Sequence, residues 1–225
     1  MSVVILRPQP GADETAARAR ALGLAAVIAP LFAVRPLAWT PPDPGNFDAL
    51  MLTSASAARQ AREGLASLTA LPCYAVGEAT AAAAKEAGFT DIRIGPDDGA
   101  ALLPMMAEGG VRRVFHPCGA DHLAFDHPAL AIRRVAVYAA DASDGLAADA
   151  AAALQAGAVA LLHSPRAAGL FAALAGERGR VSIAAISART ARAAGEGWRS
   201  VAISPEPRDQ ALLELAAKLC QTGAE

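Results

Sequence analysis

Asn46-Phe-Asp-Ala-Leu-Met-Leu-Thr-Ser54-Ala-Ser-Ala-Ala58 and Gly157-Ala-Val-Ala-Leu-Leu-His-Ser164-Pro-Arg-Ala-Ala168 read alike: a short apolar strand ends on a serine, and an alanine-rich helix follows. The two serines stand 110 positions apart. The same offset relates Cys73-Tyr-Ala-Val-Gly-Glu-Ala-Thr80-Ala81 to Ile183-Ala-Ala-Ile-Ser-Ala-Arg-Thr190-Ala191, and Ala101-Leu-Leu to Ala211-Leu-Leu. Upstream, Val4-Ile-Leu-Arg-Pro-Gln-Pro-Gly11-Ala-Asp13 lies beside Val114-Phe-His-Pro-Cys-Gly119-Ala-Asp121, with the offset slipping by a residue or two. Coincident registers of this kind mark an internal repeat, so each half reads as one β/α unit used twice.

Apolar runs place strands at about 3–6, 26–29, 49–53, 73–76, 91–94, 113–116, 134–138, 158–163, 182–186 and 201–203, with helices between them. Asp13 is expected to cap a first helix ending near Gly23, Ser54 or Ser56 the next, and Gly88 to close the helix from Glu78 to Ala87. Pro104 falls inside an expected helix over 100–107, which implies a kink or a late start. Strands alternating with helices of this length predict an α/β protein with two similar doubly wound parallel sheets. The proline-rich segment 34–45 and its counterpart 135–145 read as stiff links. Two arrangements satisfy them: two sequential halves, or a continuous domain over 37–135 beside a discontinuous one built from 1–35 plus 140–225.

The chain has 225 residues, enough for two small domains. Its hydrophobic content of 54% is spread through alanine-rich segments, and no window approaches the roughly 20 unbroken apolar residues of a spanning helix. The stretch Leu24 to Val34 contains Pro30 and reads as one buried strand with its exit. No basic, apolar and small-residue series of a secretory signal opens the sequence, so a cytoplasmic protein is expected. Cys73, Cys118 and Cys220 are odd in number and far apart, which suits reduced thiols. A net charge of −2 gives no general attraction for nucleic acid or an anionic membrane, so an anionic ligand would need local contacts. No GxGxxG or GxxxxGK[ST] is present to hold a nucleotide. His116, Cys118, Asp121, His122, Asp126 and His127 crowd together, but their spacing matches no compact zinc motif, and the segment reads as a strand-end loop with no metal.

The serine and threonine turns Ser54-Ala55-Ser56, Gly77 to Thr80, Ser164-Pro165 and Ser187 to Thr190 all stand where a parallel strand hands over to a helix. Such turns hold carboxylates through backbone N–H groups and the helix dipole, and open α/β sheets place ligands at these strand ends. Each serine or threonine can equally serve only its own helix as a cap. Arg7, at the first strand end, is a candidate carboxylate clamp and can equally pair with Asp13 or Asp48. Tyr74 reads as a strand aromatic with its hydroxyl at the surface.

The ordered set Leu6-Arg7-Pro8, Phe47 to Ser54, Tyr74 to Ala81, Val135 to Tyr138, His163-Ser164-Pro165 and Ala185 to Ala191 resembles the uroporphyrinogen-III synthases over nearly the whole chain. Two positions depart from that family: Ser187 stands where it usually has glycine, and Ser56 where it often has asparagine. The resemblance implies the discontinuous two-domain arrangement, with a two-stranded linker and the ligand in a cleft between domains. It also implies the reaction: hydroxymethylbilane loses its terminal hydroxyl, inverts its last ring and closes to uroporphyrinogen III, without cofactor or metal. The implied substrate contacts are Arg7, Ser54, Ala55, Ser56, Gly77, Thr80, Ser164, Pro165 and Thr190; Tyr138 matches the family tyrosine given the role of acid. A monomer is expected. The competing reading is a non-catalytic, cytoplasmic two-lobed binding protein for an anionic small molecule.

Overall fold

The structure, a computed structural model, describes residues 1–95 and 98–222. It opens with the buried strand β1 (Ser2–Ile5) and helix α1 (Gly11–Ala21), whose buried face is Gly11, Ala12, Thr15, Ala16 and Ala19. That spacing is one stripe of a 3.6-residue period. Gly23, at φ +75°, closes the helix, and the Leu24 N–H reaches back to the Ala19 carbonyl at 3.0 Å. Strands β2 (Ala25–Ile28) and β3 (Phe32–Pro36) follow. Next come β4 (Ala49–Leu52), α2 (Ala55–Gln60), α3 (Arg62–Leu65), β5 (Cys73–Val76), α4 (Gly77–Glu86), β6 (Ile92–Gly95), α5 (Gly99–Glu108), β7 (Arg113–Gly119) and the long β8 (Ala131–Ala142). The chain ends with α6 (Ala148–Gln155), β9 (Val159–Leu162), α7 (Pro165–Leu174), β10 (Ser182–Ala185), α8 (Ala188–Ala194), β11 (Ser200–Ile203) and α9 (Asp209–Thr222).

The strands form two sheets, ordered β11-β10-β9-β1-β2 and β3-β8-β7-β4-β5-β6. Leaving β3 aside, β6-β5-β4-β7-β8 repeats the order β11-β10-β9-β1-β2, so the sequence repeat is also a repeat of topology. The neighbours β1 with β2 and β9, β10 with β9 and β11, β4 with β5 and β7, β5 with β6, and β7 with β8 are all parallel. Central strands β4 and β9 are buried at every residue, as parallel strands covered on both faces must be. Alternation along β4 sends Leu50 and Leu52 into a cluster with Ala57, Ala58, Ala84 and Phe115, and Ala49 and Met51 into another with Leu102, Leu103 and Met106. In the other sheet Val3, Ile5, Val159 and Leu161 pack on Ala12, Ala16 and Leu213. Contacts divide the chain into one unit of Met1–Ala33 with Asp141–Glu225 and another of Val34–Ala140.

Several local expectations need correction. Leu24 to Val34 makes two strands, because after Pro30 the Leu31 N–H bonds the Leu6 carbonyl and the chain resumes extended structure as β3. Asp13 caps nothing: α1 starts earlier, and the Gln9 side-chain oxygen accepts the Asp13 N–H at 3.2 Å. Helix α5 starts at Gly99, with Asp98 accepting the Ala100 N–H, and continues through Pro104, whose ring is exposed. The repeat is also incomplete. Where the first half has α1 after β1, residues 120–130 after β7 carry no helix. The expected Gly88 terminus is present, at φ +101°, with the Phe89 N–H on the Ala84 carbonyl.

Candidate functional site

Because β1, β2, β9, β10 and β11 run parallel in one sheet and β4 to β8 run parallel in the other, one edge of each sheet collects the carboxyl ends of those strands. In the second unit this edge carries Thr53 to Ser56 after β4, Gly77 to Thr80 after β5, and Tyr138 beside the end of β7, where Gly119 and Tyr138 are register partners. Ser54 caps α2, its Oγ accepting the Ser56 N–H at 3.1 Å, so Ala55 and Ser56 form the first turn and are half-buried. Gly77 begins α4 at φ +70° with no side-chain cap, and Thr80 is nearly buried in the same turn. A Cβ on Gly119 would lie 2.8 Å from Cζ of Tyr138 and 3.0 Å from its hydroxyl, so glycine there is what lets the half-buried ring settle over the strand end. The Tyr138 hydroxyl makes no hydrogen bond among the described residues.

The loop after β7 accounts for the crowd of potential metal ligands. His116 is fully buried, its Nε2 3.1 Å from Thr53 Oγ1, with its ring against Phe125. Burial, with Arg134 and then His122 adding to it, pushes the His116 imidazole down to about 4. Asp126 pairs with Arg134 at 2.8 Å, His122 Nδ1 contacts the Gly119 carbonyl, and His127 Nδ1 accepts the Ala129 N–H. Their side chains are thus engaged separately, and no three His, Cys, Asp or Glu residues converge on a metal position among the described residues. All three cysteines are free thiols.

In the first unit the corresponding edge holds Arg7 after β1, Ser164 and Pro165 after β9, and Ser187 to Thr190 after β10. Ser164 caps α7 through the Ala167 N–H at 3.2 Å, and Pro165 fills the first helical position, where no N–H is needed. Ser187 caps α8 through the Thr190 N–H and also meets the Thr190 hydroxyl at 3.0 Å. Thr190 is fully buried, so half-buried Ser187 is the member of that pair that faces outward. Ser187 has φ −157°, extended backbone open to any residue, whereas its repeat partner Gly77 sits at +70°, where a side chain is strained. That difference accounts for serine at 187. A surface pocket of about 370 Å³ opens at the end of β2, lined by Ile28 to Leu31, Ser143 and Gly145 to Ala147.

Arg7 pairs with neither Asp13 nor Asp48. Asp48 is engaged by Arg113 at 2.7 Å, and Gln9 donates to Asp13. Arg7 Nη1 instead donates to Thr15 Oγ1 at 3.3 Å and lies 3.7 Å from Oδ1 of Asp209. Asp209, at the start of α9, also accepts from Thr15 at 2.9 Å, Arg18 at 2.7 Å and His163 Nε2 at 2.7 Å. Burial opposes its ionisation, but hydrogen bonds from His163, Arg18 and Thr15 outweigh that and hold its carboxyl well below the usual carboxylate range. An ionised carboxylate only accepts, so His163 carries its proton on Nε2. Burial, with Arg7 nearby, depresses the His163 imidazole despite the opposing hydrogen bond to Asp209. Sequence reading missed this cluster because Thr15 and Asp209 are 194 positions apart and no local pattern joins them. Tyr74 was also misplaced: it is buried, and its hydroxyl accepts from Arg93 Nη1 at 2.5 Å.

The family model described as uroporphyrinogen-III synthase HemD matches residues 13–214. Among solved structures, the uroporphyrinogen-III synthetase of Helicobacter pylori 26695 aligns with a TM-score of 0.63 at 18% identity, over 97% of this chain and 100% of that one. A mutant uroporphyrinogen III synthase of the extremely thermophilic bacterium Thermus thermophilus aligns with a TM-score of 0.57 at 17% identity, over 99% and 100%. At these identities the structural likeness establishes a shared fold. No curated protein sequence matches the chain.

Proposed function

This chain belongs to the uroporphyrinogen-III synthase family, and from that premise we propose how its residues serve the family's reaction. The enzyme is a lyase that closes hydroxymethylbilane to uroporphyrinogen III with inversion of the last ring. The substrate carries acetate and propionate groups around its rim and needs many anion contacts, although the protein's net charge is −2. The strand-end turns at Ser54 to Ser56, Gly77 to Thr80, Ser164 with Pro165, and Ser187 to Thr190 supply backbone N–H groups for those carboxylates, and Arg7 adds a guanidinium. Tyr138 is the acid that protonates the departing hydroxyl, which leaves as water from a carbon activated by the adjoining pyrrole. The observation that carries this assignment is that its hydroxyl, at the same strand-end edge, has no hydrogen bond among the described residues. The reading includes a monomeric cytoplasmic enzyme with a small-molecule substrate, no metal or organic cofactor, and no nucleic-acid partner. Among the described residues no helix is long and apolar enough to cross a membrane.

The test is a coupled assay in which hydroxymethylbilane is generated in place, this protein is added, and the oxidised uroporphyrin isomers are separated. Isomer III above the spontaneous isomer I background is the expected outcome. Folded protein that yields isomer I alone would overturn the reading.

A further inference from the structure

We infer that Asp209 is a positioning residue for Arg7, acting through Thr15 to hold the guanidinium at the strand-end edge of the first unit. The inference rests on the reading of Arg7 as a substrate carboxylate clamp and extends it to a residue that itself touches no ligand. A long arginine side chain loses conformational freedom whenever it binds, so one that is already held binds a carboxylate with a smaller entropic loss. Arg7 needs such support, because its side chain keeps 27% of its surface exposed.

Three features supply it. Asp209 is an immobile anion: Thr15 and Arg18 of α1 and His163 at the end of β9 all donate to its carboxylate, at 2.9, 2.7 and 2.7 Å. Thr15 Oγ1 connects the two partners, donating to Asp209 Oδ1 and accepting from Arg7 Nη1 at 3.3 Å. Gly11 leaves the space in which the guanidinium lies, since a Cβ there would come within 2.7 Å of Nε and 2.8 Å of Cζ and Nη2 of Arg7. Attraction, a hydrogen-bonded bridge and an open backbone surface thus converge on one side chain. The 3.7 Å separation from Asp209 is longer than a direct bidentate pair, so Asp209 orients Arg7 without locking both its forks.

The experiment compares kcat and KM for hydroxymethylbilane in Arg7→Ala, Asp209→Asn, Thr15→Val and the Arg7→Ala/Asp209→Asn double variant, with thermal melting as the control for folding. Asp209→Asn is expected to raise KM about tenfold while kcat stays within about twofold, and Thr15→Val to raise KM about threefold. The double variant is expected to have the KM of Arg7→Ala alone, because a residue that acts through Arg7 has nothing left to act on. A fully additive double variant, or an unchanged KM in folded Asp209→Asn, overturns the inference. If Asp209→Asn does not fold, Thr15→Val decides, since valine is similar in shape to threonine and removes only the bridging hydroxyl; an unchanged KM there overturns the inference equally. An unchanged KM in Arg7→Ala strikes instead at the reading of Arg7 as a clamp, which separates that failure from this one.

Discussion

Tyr138 and His116 show how differently two polar side chains on neighbouring strands are used. The Tyr138 hydroxyl supports nothing else among the described residues, so its removal tests chemistry rather than folding. Tyr138→Phe is expected to leave stability within about 0.5 kcal/mol and to slow formation of isomer III at least tenfold, as loss of a proton donor does. Equal turnover by the two proteins would remove Tyr138 from the mechanism. His116 is a structural group whose proton affinity folding suppresses. The unfolded chain takes up its proton near pH 6.5, whereas the folded one takes it up only near about 4. Its contribution is therefore complete above pH 6.5 and is lost as the pH falls from there towards 4, and the depressed His163 acts in the same direction. For His116 alone the loss is about 3 kcal/mol across that window. Urea midpoints measured from pH 7 to 4.5 should decline, with a shallower slope in His116→Asn; parallel slopes would show that His116 is not the group responsible. The family pattern singles out Tyr138 in the sequence as the expected acid, and the turnover comparison tests that expectation. Asp209 was not, since its importance lies in partners from α1 and β9 that no spacing rule connects to it.

At the scale of elements, the repeat specifies where strands hand over to helices, while backbone conformation decides which residue each handover tolerates. Gly77→Ala places a side chain at φ +70° and should destabilise by about 1–2 kcal/mol. Ser187→Gly, at the matching position with extended backbone, should cost only a few tenths of a kcal/mol. Chemical denaturation of the two variants checks this, and equal losses would show that the two turns are alike after all. Strand positions were readable because runs such as Ala49 to Leu52 and Val159 to Leu162 are uniformly apolar. Strand β3 was hidden because its proline-bounded, arginine-containing sequence has the local signature of an exit, and only its place beside β8 makes it a strand. The absent counterpart of α1 was hidden for a related reason. Its loop is held by tertiary contacts, the ring of Phe125 against His116 and the guanidinium of Arg134 on the Phe125 carbonyl.

For the whole molecule, each unit has its own core and its own tryptophan. Trp39 stacks on Phe115 at 5.9 Å in the second unit, and Trp198 on Phe171 at 5.3 Å in the first. Leu161→Ala, in the core of the first unit, should cost about 2–5 kcal/mol. The loss should appear as an earlier denaturation midpoint at Trp198, read in a Trp39→Phe background, with a smaller shift at Trp39, read in a Trp198→Phe background. Equal shifts would mean that the two cores unfold as one. By itself the sequence determined the α/β class, the repeat, the parallel strand-end turns and the family pattern, because apolar periodicity, caps and turn glycines are local and act within a few residues. Tertiary structure alone decided that β3 is a strand, that Thr190 and Tyr74 are buried, and that Arg7 answers to Thr15 and Asp209 rather than to the nearer Asp13 or Asp48. Each of these depends on which distant segments the sheet order brings side by side, and hydrogen bonds and ion pairs follow that proximity in space.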